Sequence, residues 1–220
     1  MIVAIEGPSA AGKTTWCRTH FPGGFVEEAV DDVAAPDLHA DPNQVARFWV
    51  NFAVQNWQRA LALESANGIA VCDGDPFHLY YSWAVWKSGA LTKTLFEVES
   101  ELYRSAFEKK HIGFADYVLW LGVPTEELRR RAKSDPTRRR KRHEMYLGLV
   151  PWMKAWYEAR EQFLPGTVRG LLNMLSVRDL PGGFSPSRHD TQIFDQLLLE
   201  LKDAKPAPNA NGKERAAKRG

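Results

Sequence analysis

Gly7-Pro8-Ser9-Ala10-Ala11-Gly12-Lys13-Thr14 restricts what this chain can fold into more than any other segment. It fits the spacing G-x-x-x-x-G-K-[ST]. It also lies between a short apolar run, Ile2 to Ile5, and a helical pattern that begins at Lys13. The glycines let the backbone curl so that successive N–H groups face an anion, and the following helix adds its positive end. Lys13 can then reach the β- and γ-phosphates, and the Thr14 hydroxyl can ligate Mg²⁺. At average composition such a match arises by chance in about one chain per hundred of this length. Gly7, Ser9, Ala10, Ala11, Gly12, Lys13, Thr14 and Thr15 are therefore expected to bind a nucleoside triphosphate, with ATP and Mg²⁺ as the expected cofactors.

A loop of this kind works at the end of a buried strand, and the rest of the chain supplies matching pieces. Phe25–Val30, Ile69–Cys72 and Tyr117–Leu121 read as further strands, with a weaker one inside Val168–Val177. Helices are expected over Asn43–Asn67, Leu79–Trp86, Leu91–Lys110, Pro124–Lys133, His143–Gln162 and Asp190–Leu201. On the first, Phe48, Phe52, Gln55, Arg59 and Leu63 recur about once a turn; Asp41-Pro42 starts it and Gly68 stops it. Strands alternating with helices predict an α/β protein: a three-layer α/β/α P-loop NTPase fold with about five parallel strands and a basic helical lid. Ligands then bind at the carboxyl ends of the strands. The folded domain is expected over 1–203, with a disordered basic tail over 204–220.

Composition excludes other classes. With 44% apolar and 25% charged residues among 220, the chain is neither disordered nor fibrous. No stretch approaches the roughly 20 apolar residues needed to cross a bilayer, so no membrane partner is expected. The opening Met1–Glu6 carries no basic region or cleavage site, which points to a cytoplasmic protein. Cys17 and Cys72 read as small buried thiols. No His/Cys cluster has the spacing of a zinc site.

The net charge of +2 conceals a strong asymmetry. Residues 129–142 contain nine basic residues and one acid, and the tail from Lys205 contains five and one, which leaves −10 on the remainder. A basic segment that interrupts a helix pair suits a lid closing over transferring phosphates. A solvated helix face and a nucleic-acid patch are the competing readings. Nucleic acid is disfavoured as a partner because no stacking aromatics are interleaved with the arginines. No N-K-x-D-like guanine reader is present, which argues against a GTPase switch. A homodimer is compatible with the sequence.

With these residues in view, the chain resembles the deoxynucleoside kinases and, more distantly, the thymidylate kinases, over about residues 1–165. Ile5-Glu6-Gly7 resembles their opening strand and loop. Glu28-Ala29-Val30 is similar to their Glu-Pro-Val segment, which implies that Glu28 is the general base for a sugar hydroxyl. Asp73-Gly74-Asp75 occupies the place of their Glu-Arg-Ser motif, and Leu121–Arg131 resembles the approach to their lid. The sequence departs from that pattern in three ways. Gly74 stands where the family has a substrate-binding Arg, Ala29 replaces the Pro, and residues 30–36 lack the expected Trp.

The expected activity is transfer of the ATP γ-phosphate to a hydroxyl, or phosphate, of a small molecule, most naturally a nucleoside or nucleotide. An antibiotic or other secondary metabolite is the alternative acceptor, and a non-enzymatic nucleotide-binding regulator the alternative class. The catalytic candidates are Glu28, Lys13, Asp73, Arg130 and Arg131, with either Glu28 or Asp73 as the base. Thr14 and Asp73 are the metal candidates, and Arg138 is a further phosphate contact. Asn51, Phe52, Gln55, Asp75, Phe77 and Tyr81 are expected to line the acceptor pocket. For Asp73 and Asp75 a helix cap is the alternative, and for the aromatic residues a place in the core.

Overall fold

Ile2–Glu6 forms strand β1 and is buried along its whole length, as a central parallel strand must be. Its alternate residues enter two different cores. Ile2 and Ala4 face one, Val3 and Ile5 the other. A computed structural model describes residues 1–28, 35–135, 142–170, 177, 180–182 and 185–207. In chain order the elements are β1, α1 (Lys13–His20), α2 (Pro42–Asn67), β2 (Ala70–Asp73), α3 (Leu79–Lys87) and α4 (Thr94–Glu108). There follow β3 (Tyr117–Trp120), α5 (Thr125–Ser134), α6 (His143–Phe163), β4 (Val168–Gly170) and α7 (Thr191–Glu200).

The sheet is parallel throughout and ordered β2-β1-β3-β4. From β1 the chain crosses to β2 on one side, then returns to β3 on the other, so the strand order reverses at β1. The crevice of such a sheet opens at the carboxyl ends there. Ile5 pairs with Asp73 and Glu6 with Trp120, which brings the ends of three strands together at the Gly7–Thr14 loop.

Among the described residues the sheet has four strands rather than five. The expected strand at 25–30 contributes one parallel bridge, Val26 to Cys72. Two backbone hydrogen bonds of 2.8 Å flank it, Val26 N to Val71 O and Asp73 N to Val26 O. The chain then leaves the sheet edge, and Ala29 and Val30 lie outside the described residues. This single bridge carries Glu28 over the end of β2.

One face of the sheet is covered by α2, α3, α4, α6 and α7, and the other by α1 and α5. Asp41 caps α2 by accepting from the Asn43 amide, Pro42 opens it, and Gly68 closes it through a hydrogen bond to Glu64 O. The buried stripe of α2 is not the one its aromatic residues suggest. Val45, Ala46, Val50, Ala53, Asn56, Trp57, Ala60 and Glu64 face inward, while Gln55 and Arg59 are exposed. Trp57, fully buried, together with Ala46, Ala53 and Ala60 sets the phase instead of Phe48 and Phe52. Phe77 belongs to this core. Its ring meets Tyr103, Phe107 and Phe114 edge-on at centroid distances of 5.2–5.3 Å.

No described helix is long and apolar enough to cross a membrane. Both cysteines are free and buried, and burial pushes the Cys17 thiol up to about 12. Beyond α7 the residues Lys202, Asp203, Lys205 and Pro206 are exposed, while Leu201 and Ala207 are buried and the Ala207 amide donates to Pro151 O at 3.0 Å. Residues 208–220 lie outside the described residues.

Candidate active site

The loop after β1 starts with a close approach. A Cβ on Gly7 would lie 2.8 Å from Leu121 O, so only glycine fits where the loop passes the end of β3. Ala11 N donates to Pro8 O at 3.0 Å and closes the turn that leads into α1. Lys13 folds back over this turn, donating to Gly7 O at 3.1 Å. Its Nζ lies 3.8 Å from both Glu6 and Glu28, with the side chain 15% exposed. Burial opposes its charge, but Glu28, Glu6 and Asp73 outweigh that and hold its pKa above the ordinary value. The ammonium is therefore retained where an anion would meet it. Ser9, Ala10, Gly12 and Thr14 are in place along the same turn, and Thr15 lies exposed on the first turn of α1.

The Thr14 hydroxyl donates to Asp73 Oδ2 at 2.5 Å, joining the start of α1 to the end of β2. Two hard oxygen ligands so placed fit Mg²⁺, which takes few protein ligands and completes its shell with phosphates and water. The described residues hold no group of three or more His, Cys, Asp or Glu side chains able to cage a metal.

Beneath this lies a polar network of which the sequence reading assigned only Asp75 to the site. Glu6 is fully buried, and its Oε1 accepts from Gly7 N at 2.8 Å. Its Oε2 accepts from Asp75 N at 3.0 Å and from the Tyr80 hydroxyl at 2.9 Å. One carboxylate thus clamps the first peptide of the loop to the turn after β2. Asp75 receives Phe77 N at 3.0 Å, Arg160 Nη1 at 3.1 Å and the Tyr157 hydroxyl at 3.4 Å. Burial pushes Asp75 up to about 6 against the pull of Arg160, with the charge of Glu6 adding to the rise. A charged residue inside an otherwise apolar β1 was the available signal for this network.

Beside these groups lies a pocket lined by Val26, Glu28, Phe52, Asn56, Cys72, the segment Asp73–Pro76 and His78. Glu28 is 34% exposed, and a Cβ on Gly74 would lie 3.2 Å from its Cδ. Gly74, at φ 89°, therefore leaves the space that the Glu28 carboxylate occupies. The His78 ring stacks between Trp49 at 5.8 Å and Tyr81 at 5.3 Å, and burial pushes its pKa down to about 4, so it is neutral at pH 7.

Several expected residues are placed differently. Asn51 and Gln55 are exposed on α2, and Asn56 takes the pocket position instead. Phe77 is core, and Asp75 lines the pocket with its carboxylate already committed. Tyr81 supports His78 rather than forming the wall. Of the lid arginines, Arg131 Nη1 donates to Ala11 O at 2.8 Å and so touches the loop. Arg130 is 71% exposed and pairs with Glu127, which Arg131 also reaches through its Nε at 2.7 Å. Arg138 lies outside the described residues.

No known protein family and no curated protein matches this sequence. Solved structures do match the fold. A deoxyadenosine kinase from M. mycoides with bound dATP aligns with a TM-score of 0.54 at 14% identity, covering 92% of this chain and all of that one. The same kinase with the products dCMP and a flexible dCDP gives 0.54 at 16%, covering 92% and 97%. At such identities the likeness is one of fold. The molecule has the α/β fold of the P-loop NTPases, with the loop, the strand-end acids and the pocket around one crevice.

Proposed function

We propose that this protein is an ATP- and Mg²⁺-dependent phosphotransferase that phosphorylates a hydroxyl group of a small, uncharged acceptor, in the manner of a deoxynucleoside kinase. The observation that carries the reading is the spacing of charge across the crevice. Lys13 lies 3.8 Å from Glu28, and Thr14 bonds Asp73 at 2.5 Å, with the acceptor pocket opening beside them.

The curled backbone and Lys13 hold the polyphosphate, and Thr14 and Asp73 hold Mg²⁺, which offsets charge on the phosphate oxygens. Glu28 receives the proton of the acceptor hydroxyl as its oxygen bonds to the γ-phosphorus and the bond to the ADP oxygen breaks. Arg131, which donates to Ala11 O in the loop, adds positive charge to the phosphate side. Asp73 is committed to Thr14, which supports Glu28 as the base. Among the described residues the pocket wall carries carboxylates and no arginine or lysine. That supports a hydroxyl acceptor over a phosphate one. The names of the fold neighbours make deoxyadenosine the first acceptor to try.

The test is acceptor-dependent ADP release over nucleosides, nucleoside monophosphates, sugars and hydroxyl-bearing antibiotics. Release stimulated by an uncharged member, and lost in Glu28→Gln while ATP still binds, is the expected result. ATP binding without stimulated release by any acceptor overturns the reading in favour of a nucleotide-binding regulator.

A further inference from the structure

Asn56 is the buried polar side chain of the pocket that the phosphoryl-transfer chemistry leaves unused. It is 7% exposed and lines the pocket beside Val26, Cys72 and Phe52. Its carbonyl oxygen accepts a short hydrogen bond from Arg59 Nη2, one turn further along α2, and the same nitrogen reaches Glu27 O at 3.4 Å. A guanidinium can only donate, so the amide can turn only its oxygen toward Arg59. The NH₂ group is thereby left on the other side, and among the described residues nothing accepts from it. A pocket-wall donor so oriented is open to an acceptor atom on a ligand. The opposite wall offers the reverse polarity, since Glu28 only accepts when ionised.

We infer that Asn56, oriented by Arg59, is the specificity-determining donor of the acceptor pocket. It selects substrates that place a carbonyl, ring-nitrogen or ether acceptor against it. The inference rests on the reading of this pocket as an acceptor site.

Asn56→Asp separates this role from a structural one. Aspartate keeps the bond to Arg59, now charge-assisted, and replaces only the NH₂ donor with an acceptor. The full chain is assayed with ATP and deoxyadenosine, or with whichever member of the acceptor panel gives the highest rate. Binding of the same compounds is followed in parallel by thermal shift. The expected result is a KM for the acceptor raised about tenfold or more, an unchanged KM for ATP and an unchanged melting temperature without ligand. Arg59→Gln frees the amide to rotate and produces a smaller rise in the same constant. An acceptor KM within about twofold of wild type in Asn56→Asp overturns the inference while leaving the kinase reading intact. Acceptor binding that is lost in Asn56→Asp, in a protein showing no turnover, upholds Asn56 and overturns the kinase reading. Neither binding nor turnover with any compound overturns both.

Discussion

Two carboxylate clusters sit side by side at the carboxyl ends of β1 and β2, and they are built on opposite plans. Around Glu6 and Asp75, backbone amides, two tyrosine hydroxyls and a fully buried arginine surround the acids. Around Glu28 and Asp73 stand Thr14 and Lys13, the latter shared with Glu6 at 3.8 Å, and the cluster opens into a pocket. The closed cluster spends its polarity inside the protein and fixes where the loop and the β2 turn lie. The open cluster faces the pocket, where a ligand can reach it. Charge in a crevice thus marks chemistry only where it is left accessible.

Removing a group from each cluster should have different consequences. Glu28→Gln is expected to lower kcat by about 10²–10⁴-fold, the usual contribution of a positioned base, while thermal stability stays near wild type. A stability loss matching the activity loss would merge the two clusters. Arg160→Met leaves the Asp75 carboxylate buried without its ion pair and should cost about 3–5 kcal/mol in urea unfolding. A loss below about 1 kcal/mol would remove the structural role assigned to the closed cluster.

Asp75 also gives that cluster a pH signature. Its proton is held to higher pH in the folded protein than in the unfolded chain. On this group alone, stability is greatest below about 4, the unfolded value, and declines as pH rises through about 6. Asp75→Asn should remove that slope from a pH series of melting temperatures, and an unaltered slope would assign it elsewhere.

Smaller effects test the edges of the open cluster. Gly74→Ala places a Cβ against Glu28 at a left-handed φ and should cost about 1–2 kcal/mol, together with part of the activity. Arg131→Ala should raise the KM for ATP about tenfold, and Arg130→Ala by less than about twofold. Equal effects would show that the lid does not read the loop through one arginine.

How much of this was written in the sequence varied with the kind of interaction. The Gly7–Thr14 loop and the strands and helices around it were legible because local spacing specifies them. The phase of α2 was not, since Phe48 and Phe52 suggested one stripe and Trp57 with its neighbouring alanines set another, which hid Asn56. On α5 the signal was present but unused. Leu128 is the helix's buried apolar residue, and Arg131, three positions on, shares its face while Arg130 does not. Phe77 could not be separated from a pocket residue because its neighbours come from α4, from the loop before β3 and from α7, far along the chain. Glu6 and Arg160 meet through Asp75, and a partnership spanning most of the chain leaves no local pattern.

The central claim is that the crevice moves a phosphoryl group from ATP to an acceptor hydroxyl under the control of Glu28. It is tested most directly by following γ-labelled ATP with wild type and Glu28→Gln in the presence of an uncharged nucleoside. The account predicts label in a product about 80 Da heavier than the nucleoside, one phosphoryl group, and almost none from the variant. Label recovered only as inorganic phosphate, at equal rates in both proteins, would contradict it.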